Sequence, residues 1–416
     1  MSAILTASAS AAPTRSFKEV WLISMGHTLT HWYPATFYLL LPLIGKELGL
    51  SYSQIGLIMT CQSIAAAVSN IPGGMFVDTV GRKGFLLALS LFWVGFPYLL
   101  MGFAHTYWLL LLCVSLVGIG NNLWHPTAIP TLASRFPARK GLVLSIHGMG
   151  GNVGDAVAPL VIGALLATLT WRQVVFVNVV PGVLIACLIL LYLGSLRLAG
   201  EAAERKHPKE GQSVAEYFRG LRELLQNKKL ILLTVSSSFR TMTQTGLLTF
   251  LPLFLAYEMG YSPLWVGACM FLLQAAGFAA SPIAGHLSDR MGRRSILMSS
   301  MAMTAVVLFF MAVAGRSSAF IFFIAVLGFF LYAVRPVLQA WVLETTPKKM
   351  GGTSIGVLFG AQHIGSALGP VLGGVIADHY GLMSAFYFLA GTIVVANLFV
   401  VFIPSKDELR QDAAAS

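Results

Sequence analysis

Charge is what this sequence has least of. Only 10% of its 416 residues are Asp, Glu, Lys or Arg, where a water-soluble domain carries about 25%. A soluble globular fold is excluded on that ground. Cysteine is scarce as well. The four present, Cys61, Cys113, Cys187 and Cys269, are far apart and each sits in an apolar run. They make neither a disulfide framework nor a zinc pattern and read as small packing residues. No segment shows the two-residue alternation of a half-buried strand. No nucleophile with its base, no paired carboxylates and no cofactor motif appear, so neither an enzyme nor a cofactor is expected. The opening MSAILTASASAAPTRSF lacks the basic start and long apolar core of a secretory signal and reads as a short tail.

What the chain has is apolar length. Hydrophobic residues make up 56% of it, and the mean hydropathy is +0.78. One helical span needs about 20 apolar residues. Twelve such runs occur, at roughly 19–45, 52–77, 84–103, 107–133, 141–168, 172–196, 230–257, 263–287, 295–314, 317–345, 352–377 and 382–404. The expected fold is an all-α integral membrane protein of twelve transmembrane helices. Residues 1–18 form an N-terminal tail, 19–196 a six-helix half, 197–229 a central loop, 230–404 a second six-helix half and 405–416 a C-terminal tail. Within the central loop, Val214, Phe218, Leu221 and Leu225 recur at helical spacing, fitting either a helix on the membrane face or a solvated linker.

The net charge of +11 invites a nucleic-acid reading, but its placement does not. Of the 27 basic residues, 22 fall in the tails and in the loops on one side, eight of them in the central loop. The other side holds Lys46, Arg172 and Arg316. This is the positive-inside asymmetry and places both termini in the cytoplasm. The expected location is a bacterial cytoplasmic membrane, with lipid as a partner and nucleic acid as none; a monomer is expected. Two basic residues remain, Arg240 and Arg335, and both lie inside spans.

The halves repeat. GGMFVDTVGRK from Gly73 matches AGHLSDRMGRR from Ala284, and the segment ending at Pro159 matches the one ending at Pro370, both 211 positions apart. A duplicated six-span unit is an architecture of secondary transporters, with the substrate held between the halves. The first pair contains Gly74, Asp78, Gly81, Arg82 and Lys83, then Gly285, Asp289, Arg290, Gly292, Arg293 and Arg294. It resembles the gating signature of the major facilitator superfamily, and the resemblance covers nearly the whole chain. It implies alternating access with no cofactor. Glycine allows a tight turn and close helix contact, and the Asp attracts the basic residues after it. Thr79 stands where the family has a basic residue, which weakens gating through the first copy. In the second pair, Pro159, Gly365, Gly369 and Pro370 form small-residue faces suited to close helix packing. Similar faces occur in the proton-driven antiporters of the superfamily, but Ala158 replaces a glycine here, and packing is the stronger reading. MGHTLTHWYPATFYLLLPLIGKELGLSYSQIG, NNLWHPTA and GLVLSIHGMGGNVGDAVAPL are together similar to the fosmidomycin-resistance branch. That likeness implies efflux, with a phosphonate among the candidate substrates.

Ionisable groups inside spans are costly and mark function by default. His27 and His31 lie one turn apart in span 1; Asn121, Asn122 and His125 lie in span 4, and His147, Asn152 and Asp155 in span 5. Arg240 with Gln244, and Arg335 with Gln339, stand at i,i+4 in spans 7 and 10, and Gln362 and His363 lie in span 11. Spans 3, 6, 9 and 12 carry almost nothing polar beyond Asn178 and Asn397. At ~1.5 Å per residue, His125 lies ~15 Å and Asp155 ~22 Å from their basic ends, so these groups can meet in one cavity. Arginine binds phosphate or carboxylate through a planar fork. The expected substrate is therefore small and anionic or amphiphilic, bound by His27, His31, Asn122, His125, His147, Asn152, Arg240, Gln244, Arg335, Gln339 and His363. Asp155, with His125, is the candidate proton carrier; a fixed counter-ion for His147 or an Arg is the other role open to Asp155. His27 and His31 have metal-binding spacing, joined by His125 and Asp155. Two arginines in the same cavity argue against a cation, so no metal is assigned. Pro126 is expected to bend span 4. Proton-coupled efflux is the first functional expectation. Uptake or exchange of an organic anion is the second; metal transport and a non-transporting receptor rank below both.

Overall fold

The computed structural model describes residues 17–121, 123–194, 222–346 and 350–403. Both tails, most of the central loop with its expected surface helix, Asn122, and the side chains of Asn121, Asp78 and Thr79 lie outside the described residues. The first half contains α1 (Phe17–Leu48), α2 (Tyr52–Val80), α3 (Lys83–Met101), α4 (Tyr107–Asn121), α5 (Trp124–Arg135), α6 (Lys140–Leu165) and α7 (Trp171–Leu193). The second contains α8 (Lys228–Tyr257), α9 (Pro263–Met291), α10 (Arg293–Ala314), α11 (Ala319–Glu344), α12 (Gly351–Tyr380) and α13 (Leu382–Val401). No strand occurs among the described residues.

Helices dominate because lipid leaves a backbone no other way to satisfy its N–H and C=O groups, closed barrels aside. Eight spans are long and apolar enough to cross a bilayer by composition alone, α4 and α5 counting together. The other four, α1, α2, α6 and α8, run 32, 29, 26 and 30 residues and are diluted by polar side chains. Together they make twelve spans in two halves.

Span 4 is described as α4 up to Asn121 and α5 from Trp124, with Leu123 in a helical turn conformation between them and Asn122 outside the described residues. Pro126 lacks the N–H that would reach back four residues, and its ring crowds that carbonyl. Leu123 N–H falls back to Gly120 O at 3.2 Å, and the Thr127 hydroxyl donates to Leu123 O at 2.8 Å.

The halves meet along two seams, α2 on α12 and α6 on α9, which the repeat relates. A Cβ on Gly56 would fall 2.2 Å from Pro370 O, and one on Gly267 2.2 Å from Pro159 O. A Cβ on Gly374 would fall 2.4 Å from Tyr52 O, and one on Gly163 2.6 Å from Pro263 O. Each member of a pair lies 211 positions from its counterpart in the other half. The same contact is thus made twice with the halves exchanged. All four contacts belong to the parts of these helices remote from the basic loops.

Toward the basic loops the same faces part. Gly285 lies 18 residues from Gly267, five helical turns along one face of α9; Gly356 lies 18 residues from Gly374 on α12. A Cβ on Gly285 or Gly356 would meet nothing within 4 Å. Close helix contact at Gly285, expected from the motif, is therefore absent in this state. Among the described residues, the bundle is shut at the far end and parted at the basic end.

Candidate functional site

Glycine brings the histidines together. On α6, a Cβ at Gly150 would meet Ser24 O at 2.5 Å and one at Gly154 would meet Thr28 O at 2.2 Å. With no side chains in the way, α6 lies directly on α1. His27 Nδ1 then donates to the backbone carbonyl of His147 at 2.6 Å, and the two rings stack with centroids 4.0 Å apart. A carbonyl only accepts, so the proton is on Nδ1 and the neutral ring keeps its lone pair on Nε2. His125 Nε2, from α5, lies 3.1 Å from that atom. His31 Nδ1 meets Asp155 Oδ2 at 2.9 Å. The His147 ring is buried, and neither of its nitrogens has a hydrogen-bond partner. Asn152 is exposed on α6.

The second half supplies the cations. Arg240 on α8 is only 3% exposed. Its Nη2 donates to Leu331 O at 3.0 Å, and its Nε has no partner. Arg335 on α11 is exposed, and its charge acts on Arg240 and, across the halves, on His125. Neither arginine has a carboxylate partner among the described residues. Gln244, Gln339 and His363 are half-buried. Gln362 instead ties α12 to α8, donating to Ser237 Oγ at 2.7 Å. The structure therefore brings His27, His31, His125, His147 and Asp155 into one cluster, with Arg335 facing it from the other half. Sequence reasoning missed Tyr38 and Tyr332, which lie close enough to Asp155 to feel its charge. Tyrosine in an apolar helix looks like packing; a period-3.6 projection of α1 placing Tyr38 two turns beyond His31 was the available signal.

The second gating copy is a charged knot within its own half. Gly292 has φ 91°, which glycine alone adopts easily. The turn sends Arg293 back to Asp289 at 2.6 Å and on to Glu344 of α11 at 2.9 Å. Arg290 is exposed. In the first copy Gly81 has φ 69°, Arg82 is exposed, and Lys83 Nζ donates to Val77 O at 3.1 Å.

At the far end, Asp378 of α12 crosses between halves. It accepts from the backbone N–H groups of Tyr52 and Ser53 at 2.8 and 2.9 Å. It thereby serves the first turn of α2, where orphan donors and the helix dipole favour an anion. The residue 211 positions earlier is Ala167, so this clasp has no counterpart on the other seam. Glu258 pairs with Arg316 inside the second half. Asp378→Ala is expected to cost the closed far end about 0.5–2 kcal/mol, the range of a lost helix cap. Accessibility of a cysteine introduced near Tyr52 should rise accordingly; unchanged accessibility would show that the clasp does not hold the end shut.

Two six-helix halves joined by twofold-related seams, with polar groups gathered between them, define a membrane carrier fold. The family profile described as Major Facilitator Superfamily matches residues 20–280 and 233–416, and the chain belongs to that superfamily. It is 26% identical to the phosphoglycerate transporter protein of Salmonella typhimurium over 87% of this chain and 83% of that protein. It is 24% identical to the fosmidomycin resistance protein of Escherichia coli over 96% of this chain and 97% of that protein. A solved bacterial homologue of the human lysosomal transporter Spinster, inward-facing and unoccupied, superposes with a TM-score of 0.74 at 19% identity, over 92% of this chain and 94% of that one.

Proposed function

We propose that this transporter works by alternating access and exports a small anionic or amphiphilic compound in exchange for protons. The observation that carries the reading is the pair Arg240 and Arg335, two cations between the ends of the bundle with no carboxylate partner among the described residues. Arg240 is buried without a counter-charge, which is costly, and an anionic cargo relieves that cost at the moment of binding. The phosphoglycerate and fosmidomycin relatives support an anion, a phosphonate-type compound included. Asp155 with His31, and the His27–His125 contact beside it, supply a proton path within the same cavity. With the basic loops facing the cytoplasm, the open end accepts cargo from inside. Uptake or exchange of an organic anion is the second reading, since the phosphoglycerate relative's name specifies an anion and no direction.

Proteoliposomes with an internal pH-sensitive dye test this. Proton flow opposite to the flow of phosphonates or phosphate esters is expected; flow in the same direction would replace efflux by symport. Arg335→Ala is expected to weaken anion binding ~10- to 150-fold, the equivalent of a charged hydrogen bond worth about 1.5–3 kcal/mol. Unchanged binding would remove the anion site.

A further inference from the structure

We infer that the histidine cluster of the first half binds one divalent transition-metal ion of the zinc class, with His27, His31 and His125 as ligands. Ligand-capable nitrogens of these three rings all lie within 4.8 Å of one another. Two of the rings are already oriented for the task. His27 Nδ1 is committed to His147 O at 2.6 Å and His31 Nδ1 to Asp155 at 2.9 Å. With Nδ1 so used, the nitrogen left to face a metal is Nε2 in both rings. Metal-bound histidines are held in this way, the second nitrogen donating to a backbone carbonyl or a carboxylate that fixes tautomer and ring plane.

His125 completes the set. Its Nε2 stands 3.1 Å from His27 Nε2. Two imidazole nitrogens on one tetrahedral zinc ion, each ~2.0–2.1 Å from the metal, are about 3.3 Å apart. The two rings already have nearly the spacing of shared ligands. The ion takes the place of the one proton that now joins them, that proton moving to His125 Nδ1 so that the ring stays neutral, and His31 closes in with its Nδ1 still on Asp155. Gly151 leaves the space in which the rings converge: a Cβ there would fall 2.7 Å from His27 Cε1 and 3.0 Å from His31 Nε2. The ring of His147 stacks on that of His27 and holds its plane.

The donor set selects the ion. Neutral imidazoles suit zinc, nickel and copper, whereas magnesium and calcium take oxygen ligands. Three protein ligands leave a fourth position open, as in zinc sites that bind a water or a substrate. His125 is the exposed member of the cluster, so the site can be reached from the cavity. The repulsion expected between a metal ion and the two arginines is eased because the ion lies in the first half, and an anionic oxygen on the open position would lie between the charges. The inference goes beyond the anion site, since the first half alone supplies every ligand.

Tag-free protein in detergent, stripped with a chelator, is dialysed against micromolar zinc chloride, and bound metal is counted by mass spectrometry. One ion per chain is expected. His31→Gln and His125→Gln should each weaken binding by more than the ~10–100-fold typical of losing an outer partner, and Asp155→Asn by about that amount. His286→Gln and His379→Gln, at the two ends of the bundle, should bind as the parent does. Cobalt in place of zinc should give the intense visible bands of a four-coordinate site, lost in both ligand variants. Elution volume and melting of the metal-free variants check that glutamine has left the fold intact. Substoichiometric binding, or equal binding by His31→Gln and His125→Gln, overturns the metal site. Anion binding measured in chelator fails or survives separately and judges the arginine site alone.

Discussion

Gly267→Val is expected to hold the protein open at the end remote from its basic loops. A Cβ at this position would fall 2.2 Å from Pro159 O and 2.9 Å from Pro159 C. Those are backbone atoms of the facing helix and cannot swing aside like a side-chain tip. Overpacking of this kind costs about 1–3 kcal/mol, enough to shift a two-state equilibrium ~5- to 150-fold. Valine costs an isolated helix well under 1 kcal/mol, so the helix itself survives. Spin labels on Thr168 and Ser262, exposed beside the far ends of α6 and α9, should move apart. Gly285→Val should do the opposite. Its Cβ meets nothing within 4 Å in the present state. It lies on the same face of α9 five turns away, ~27 Å along the axis, where α6 must approach when the basic end shuts. The first substitution is penalised in this state and the second in its alternative, so their label distances should change in opposite directions and cargo flux should fall in both. If both variants keep the parent distances and the parent flux, the seams are not the moving parts.

Seam contacts of this kind lie beyond what a sequence displays. The spans were legible because lipid imposes a length and a polarity that few other environments do. The 211-residue repeat was legible because the two copies of the gating loop stayed alike. Pro159, Gly365, Gly369 and Pro370 read as packing residues, but their partners could not be read. Gly365 and Gly369 lie on Ser238 O and Met242 O within their own half, whereas the carbonyls of Pro159 and Pro370 cross to Gly267 and Gly56. Helical periodicity gives a face and not the neighbour that covers it. The cluster of polar groups was legible as a list and not as a geometry. That His27 uses a backbone carbonyl, and that the His147 ring has no hydrogen-bond partner, depends on how deeply α6 settles on α1.

Asp155→Asn is expected to separate carriage from coupling. Among the described residues, the carboxylates of Glu19, Glu47, Glu258, Asp289, Glu344 and Asp378 belong to helix ends, and Glu223 precedes α8. Asp155 is the described carboxylate that lies well inside the bundle, on the sixteenth residue of α6. Asparagine has the same shape, and its carbonyl still accepts from His31 Nδ1, so the geometry at 2.9 Å can persist. What asparagine cannot do is take up and release a proton. Each proton carried down one unit of pH is worth about 1.36 kcal/mol, or tenfold accumulation of cargo. In the variant that tenfold gain per pH unit should vanish, while exchange of labelled for unlabelled cargo at equal pH continues. The same measurement decides between the two roles open to this residue. A fixed counter-ion, which the structure pairs with His31 rather than with the expected His147 or an Arg, would be missed in binding itself, and exchange would collapse together with the response to pH. A proton carrier would be missed only when a gradient is applied. Accumulation by Asp155→Asn that still follows the pH gradient would move coupling away from this carboxylate and onto the imidazoles of His27, His31 and His125.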